Sequence, residues 1–166
     1  MKILKTKKGF TLVELLAVIV ILAVILTIAV PNVMKIVEKQ KGKSFESTAA
    51  MMISAAKNQA ASNNTYLPPE GECSVIMFSI LDLDNADKDV DGSAYDQTNS
   101  YVAIANNGGN YKYYVTLKGS KRIVNLAAEG SITSSIGTTV TGPTAVKRSD
   151  VGIGTDATIC NKYPTP

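Results

Sequence analysis

From Phe10 to Val30 the chain runs 21 residues in which only Thr11, Glu14 and Thr27 are polar. As a helix rising 1.5 Å per residue, the run is roughly 32 Å long, enough to cross the hydrocarbon core of a bilayer. The segment before it, Met1 to Gly9, carries Lys2, Lys5, Lys7 and Lys8 and no acid. Such an end stays in the cytoplasm, which predicts a single pass with the N-terminus inside and everything after Pro31 outside. An ordinary signal-anchor would show the same hydropathy. A cleaved secretory signal fits poorly: its apolar core is about 7–15 residues with small residues after it. Here the apolar run is longer, and the glycine comes first. Glu14 is the anomaly. A carboxylate at mid-bilayer costs roughly 2.5–3.5 kcal/mol on insertion scales, less near an end, and a plain anchor gains nothing from it.

The residues around that glutamate carry a family resemblance. Lys8-Gly9-Phe10-Thr11-Leu12-Val13-Glu14-Leu15-Leu16, followed by an unbroken apolar helix and Pro31, resembles the prepilin signature of type IV pilins and type II secretion pseudopilins. The resemblance implies that a membrane peptidase cuts after Gly9 and N-methylates Phe10. It also implies that Glu14 serves assembly from five residues into the mature chain. Strict resemblance covers about the first 30 residues, and beyond them only the architecture agrees.

Charge and geometry give Glu14 a role of their own. Cleavage leaves a charged amine on Phe10, and Glu14 stands at i+4 from it on the same helical face. It also lies in the first turn, where the helix dipole favours an anion. In a bundle of such helices an unpaired buried amine is heavily penalised. A Glu14 of the same or a neighbouring chain can neutralise it and set axial register, as one polar residue does in a coiled coil. The plainer alternative is that Glu14 snorkels to the headgroups.

Four regions are expected: a leader at 1–9, a transmembrane and polymerisation helix at 10–34, an amphipathic helix at 35–63, and an extracellular β-rich head at 64–166. The formal charge of +3 belongs to the precursor. Without the four leader lysines, 17 basic residues become 13 against 14 acids, a side-chain balance of −1. No basic patch of the nucleic-acid-binding kind remains.

Pro31 should bend or loosen the helix at the membrane exit, and Gly42 offers a second soft point. Phe45, Ala49, Met52, Ile53, Ala56 and Ala60 then recur at helical spacing, a stripe whose natural partner is the chain's own sheet. Asn63-Asn64-Thr65-Tyr66-Leu67-Pro68-Pro69 ends the helix. Asn63-Asn64-Thr65 also has the form of a glycosylation sequon, although turn chemistry accounts for it. Strands are expected at Ser74–Leu81, Ser100–Ala105, Tyr111–Leu117 and Lys121–Leu126, the last two as a hairpin. Shorter ones are expected at Ser131–Ile136 and Thr138–Thr141. The predicted fold class is α+β: a long N-terminal helix, membrane-spanning then amphipathic, packed on an antiparallel sheet of about four strands. The same head design is what the resemblance implies.

Cys73 and Cys160 frame nearly the whole sheet region, with 86 residues between them and no histidine in the chain. That argues against zinc, and on the outer side of a membrane a disulfide is the better reading. Closing so long a loop stabilises by up to about 4 kcal/mol in the entropy model. Pilins often bracket a shorter C-terminal section with two cysteines, so the width here is a departure.

Five of the fourteen acids fall between Asp82 and Gly92. Asp87, Asp89, Asp91 and Gly92 match the opening of a D-x-D-x-D-G calcium loop, where alternate carboxylates converge. The twelfth position is Thr98 rather than a bidentate glutamate, so a solvated acidic loop is the preferred alternative to calcium. No other cofactor is indicated. With no histidine, no phosphate-cradling glycine loop and no activated nucleophile in view, an enzyme is not expected. The expected function is a structural pilus subunit, major or minor. Its partners are identical or related subunits, prepilin peptidase, the assembly platform and, before assembly, the membrane. A pseudopilin of a secretion or DNA-uptake filament is the alternative within the family, and a membrane-anchored adhesin or binding module the alternative outside it.

Overall fold

The computed structural model describes residues 9–81, 83, 87–137 and 153–154. Contacts divide the chain into two compact units, Met1–Lys39 and Gln40–Pro166. One helix, α1 (Leu12–Ser62), belongs in part to each. It starts behind a Thr11 cap and ends where Asn63 takes extended dihedrals, its side chain accepting from Thr65 N–H to open a short 3₁₀ turn. The end falls at the polar, proline-rich segment that the sequence marks as a terminator. The helix is assigned without a break through Pro31 and Gly42.

In the first unit α1 is apolar and, along its membrane-length stretch, unburied. It is the one helix among the described residues long and apolar enough to cross a membrane.

In the second unit α1 buries a stripe of Phe45, Thr48, Ala49, Met52, Ile53, Ala56 and Ala60. The expected apolar positions are all there, with Thr48 added. The stripe packs on an antiparallel sheet: β1 (Cys73–Met77), β2 (Tyr101–Asn107), β3 (Asn110–Lys118), β4 (Arg122–Ala128), β5 (Ser135–Ile136) and β6 (Ile153–Gly154). The order across the sheet is β5-β4-β3-β2-β1-β6. The four long strands are those expected, flanked by a two-residue strand at each edge. The fold is therefore α+β, a long helix on an antiparallel sheet.

Two boundaries differ from the sequence reading for physical reasons. β1 stops at Met77, and Phe78–Ile80 form a 3₁₀ turn instead of continuing as strand. That turn aims Phe78 into the core, where its ring centroid lies 5.4 Å from Tyr95. β4 runs on to Ala128 across a bulge: its register to β3 shifts between Val115 and Leu117, and Leu126 takes a φ of +44°. The Leu126 N–H donates to Thr116 Oγ1 at 3.2 Å there. An inserted residue flips the alternation of faces. Val124 thus faces the helix-side core, whereas Leu126 and Ala128 join a second cluster with Cys73, Val75, Met77, Tyr101, Ala103 and Tyr114. The expected strand at Thr138–Thr141 lies outside the described residues.

Candidate processing and assembly site

Gly9 and Phe10 precede the helix, and the Phe10 side chain is 89% exposed. Nothing stands within 4 Å of where a Cβ on Gly9 would be. The bond expected to be cut thus lies in exposed chain outside the helix, one residue before the cap.

The local fold there is set by Thr11 and Glu14. Glu14 Oε2 accepts from the Thr11 N–H and from Thr11 Oγ1, both at 2.8 Å. In return the Glu14 N–H donates to Thr11 Oγ1 at 3.3 Å. This is a capping box, in which the N-cap hydroxyl and the N3 carboxylate each satisfy a backbone donor that the helix start leaves open. Glu14 therefore has a local partner inside its own chain, a third option beside the Phe10 amine and the headgroups. The T-x-x-E spacing that signals it is visible in the sequence, so Thr11 could have been found there and was missed.

The acidic segment is organised differently. Asp89 is 6% exposed. Its Oδ1 accepts from the N–H groups of Asp91 and Ser93 at 3.0 and 2.9 Å. Its Oδ2 accepts from the N–H and the hydroxyl of Ser120, both at 2.7 Å. Burial pushes the Asp89 carboxyl up, but donation from Ser120, then Ser93 and Asp91, outweighs it and holds the group below its ordinary value. Asp91 lies 2.9 Å from Lys41 Nζ of α1 and 3.3 Å from Arg122 Nε of β4. The hydrogen bond from Lys41 holds the Asp91 carboxyl down against burial, and the charges of Lys41, Arg122 and Lys121 add to it.

Two glycines make this arrangement feasible. Gly92 closes the turn at φ +89°, and a Cβ on Gly119 would stand 2.8 Å from both Asp89 Oδ2 and Phe45 Cε2. Asp87 is exposed and outside the cluster. Among the described residues no group of three or more His, Cys, Asp or Glu side chains is placed to hold a metal ion. Lys41, Ser120 and Arg122 were not expected partners. They are far apart in sequence, and no local spacing announces them.

Cys73 opens β1 and is 2% exposed. Cys160 lies outside the described residues. Gly154, a short way before it, pairs with Cys73 across the β1–β6 ladder.

Residues 4–30 match the family model of the prokaryotic N-terminal methylation motif. The chain therefore carries the prepilin-type leader found on type IV pilins and pseudopilins. Comparisons with characterised proteins and with solved structures give no match.

Proposed function

We propose that the chain is a structural subunit of a type IV pilus, made as a membrane-anchored precursor. In this reading prepilin peptidase cuts between Gly9 and Phe10 and methylates the new amine. The observation that carries the reading is the junction itself: a methylation motif over residues 4–30, an exposed Gly9–Phe10 bond, and directly after it a capped helix whose apolar surface its own chain leaves uncovered. Bundling such helices in a filament core would remove that surface from lipid or water while the heads remain outside. On release of the leader the Phe10 amine stands one turn from Glu14, whose carboxylate can exchange its Thr11 hydrogen bonds for an amine in the bundle, where an unpaired charge is costly.

Two features of the head fit this reading. We assign Cys73 and Cys160 to one disulfide, supported by the β1–β6 pairing that brings the chain before Cys160 to the strand of Cys73. For the acidic loop we favour a structural role over calcium, because Asp89 and Asp91 accept from the chain's own donors.

Mass spectrometry of material sheared from the cell surface tests the main reading. A mature chain beginning at Phe10 with one added methyl group is the expected result. Surface material that retains Met1, or is cut beyond Val30, would leave the anchored binding module as the better account.

A further inference from the structure

Turn chemistry accounts for only part of Asn63-Asn64-Thr65. Asn63 takes an extended backbone (φ −143°, ψ 108°) directly after α1, and its Oδ1 accepts from the Thr65 N–H at 3.0 Å. That bond needs an acceptor at 63 and a backbone N–H at 65. Aspartate or serine at 63 would serve as well, and almost any residue at 65 would supply the N–H. The remaining polar groups of the two side chains are unspent. Among the described residues neither Asn63 Nδ2 nor Thr65 Oγ1 has a hydrogen-bond partner. Both side chains also lie open: Ala61, Ser62, Asn63, Asn64 and Thr65 are all exposed, between the buried Ala60 and the core-packed Tyr66 and Leu67. The chain has eleven asparagines, and only Asn63 is followed two positions later by serine or threonine. The single occurrence of the acceptor pattern thus falls where the fold leaves it accessible.

We propose that Asn63 is an N-glycosylation site, modified once the head has reached the outer side of the membrane. The proposal rests on the outward topology read from the leader lysines, not on filament assembly. The sugar donor is an oligosaccharide carried on a polyprenyl diphosphate and presented by a membrane transferase. Asn63 Nδ2 attacks the anomeric carbon of the first sugar, and the new C–N bond forms as the C–O bond to the diphosphate breaks. The lipid diphosphate leaves with the bonding pair, and Nδ2 gives one proton to a base of the transferase. An amide nitrogen is a weak nucleophile, because its lone pair is delocalised into the carbonyl, so the step needs that enzyme. The unspent Thr65 hydroxyl is the group by which the enzyme can hold the acceptor. The position also suits a bulky, hydrated substituent. Ser62 lies about 30 Å along α1 from Lys41, and the stripe that packs on the sheet ends at Ala60.

The test takes the full-length protein from the cell that makes it, isolated from membrane and surface fractions, reduced and digested with trypsin. Electron-transfer fragmentation, which leaves sugars attached, reads the peptide Asn58–Lys88. Most copies of that peptide are expected to carry hexose or hexosamine residues on Asn63. Asn63→Asp keeps the turn acceptor, so the head's melting temperature should hold while the modification disappears. Thr65→Val keeps the N–H and removes the hydroxyl, and should also lose the sugar, whereas Thr65→Ser should retain it. A bare peptide in exported protein, sugar on Ser62 or Thr65 instead, or a Thr65→Val chain modified as fully as wild type overturns the proposal. The start of the chain, read from the same digest, separates this outcome from that of the pilus reading. Sugar on Asn63 in a chain that retains Met1 supports the glycosylation site and counts against processing; a bare Asn63 in a chain beginning at Phe10 does the reverse.

Discussion

The two parts of α1 invert the usual relation between hydrophobicity and burial. From Leu12 to Val37 the helix is the most apolar stretch of the chain, yet its large side chains are about half exposed or more. From Phe45 to Ala60 it is far more polar, yet its apolar stripe is sealed against the sheet. The buried part packs on the sheet of its own unit, and among the described residues the more apolar part is unburied. On the reading above, that hydrophobicity is directed first at a bilayer and then at copies of itself.

The largest effect on assembly that could break this contrast is at Glu14. Glu14→Ala should leave insertion and head stability unchanged. It should lower incorporation into filaments about a hundredfold, matching about 3 kcal/mol for one charge left unpaired in a buried setting. Competitive assembly with wild-type subunits, read by mass spectrometry of pili, measures it. Equal incorporation would remove the pairing role.

The largest effect on head stability belongs to Phe45→Ala, which empties a fully buried position between helix and sheet. It should destabilise the head by about 3–5 kcal/mol, the usual range for such a truncation. Ile21→Ala, in the exposed part, should not move the head's melting temperature. If thermal denaturation shows equal losses for the two, the helix parts do not differ in the way described.

A smaller effect is expected at Asp89. In Asp89→Asn the amide can still accept but places donors against the Ser120 donors, so the head should lose about 2 kcal/mol. The sign of the pH dependence follows from the lowered carboxyls of Asp89 and Asp91. Their contribution is present well above the ordinary value of 3.8 and is lost as pH falls from there through the lowered native values. Melting curves in acid should therefore show a shallower decline for the variant than for the wild type.

The smallest effect belongs to the surface. Lys57 pairs with Glu129 and lies 5.2 Å from the Tyr113 ring centroid, but both charged side chains are well exposed. Lys57→Ala should cost no more than about 1 kcal/mol by chemical denaturation, and less in high salt.

Periodicity made the helix legible, since one pattern of apolar spacing selects Phe45, Met52 and Ile53 whatever lies opposite. The helix end and the β3–β4 hairpin were legible because prolines and turn formers act locally. The two-faced sheet was missed although a signal existed: Val75-Ile76-Met77 and Tyr101-Val102-Ala103-Ile104-Ala105 are continuous apolar runs rather than alternating ones. The bulge could not be read, because it depends on Thr116 across the ladder as much as on Leu126. At the candidate processing site Gly9, Phe10 and Glu14 stood out as a motif, and Thr11 needed only the capping pattern. In the acidic loop the sequence offered calcium only as the lesser alternative to a solvated loop. The loop's spacing is metal-like, while the partners of Asp89 and Asp91 come from the loop itself, from α1, from the start of β4 and from the turn between β3 and β4.

The Asp89 clamp also bears on the order in which the head can form. Ser120 is 31 residues from Asp89, while β3 and β4 meet through the short turn that contains it. Local contacts close early and distant ones late, so the hairpin is expected to precede the clamp on the folding path. Contacts absent from the transition state govern how fast a protein comes apart rather than how fast it folds. Asp89 and its turn would then act as a latch on lifetime: weakening it shortens the survival of the folded head, with little change in the rate at which new heads fold.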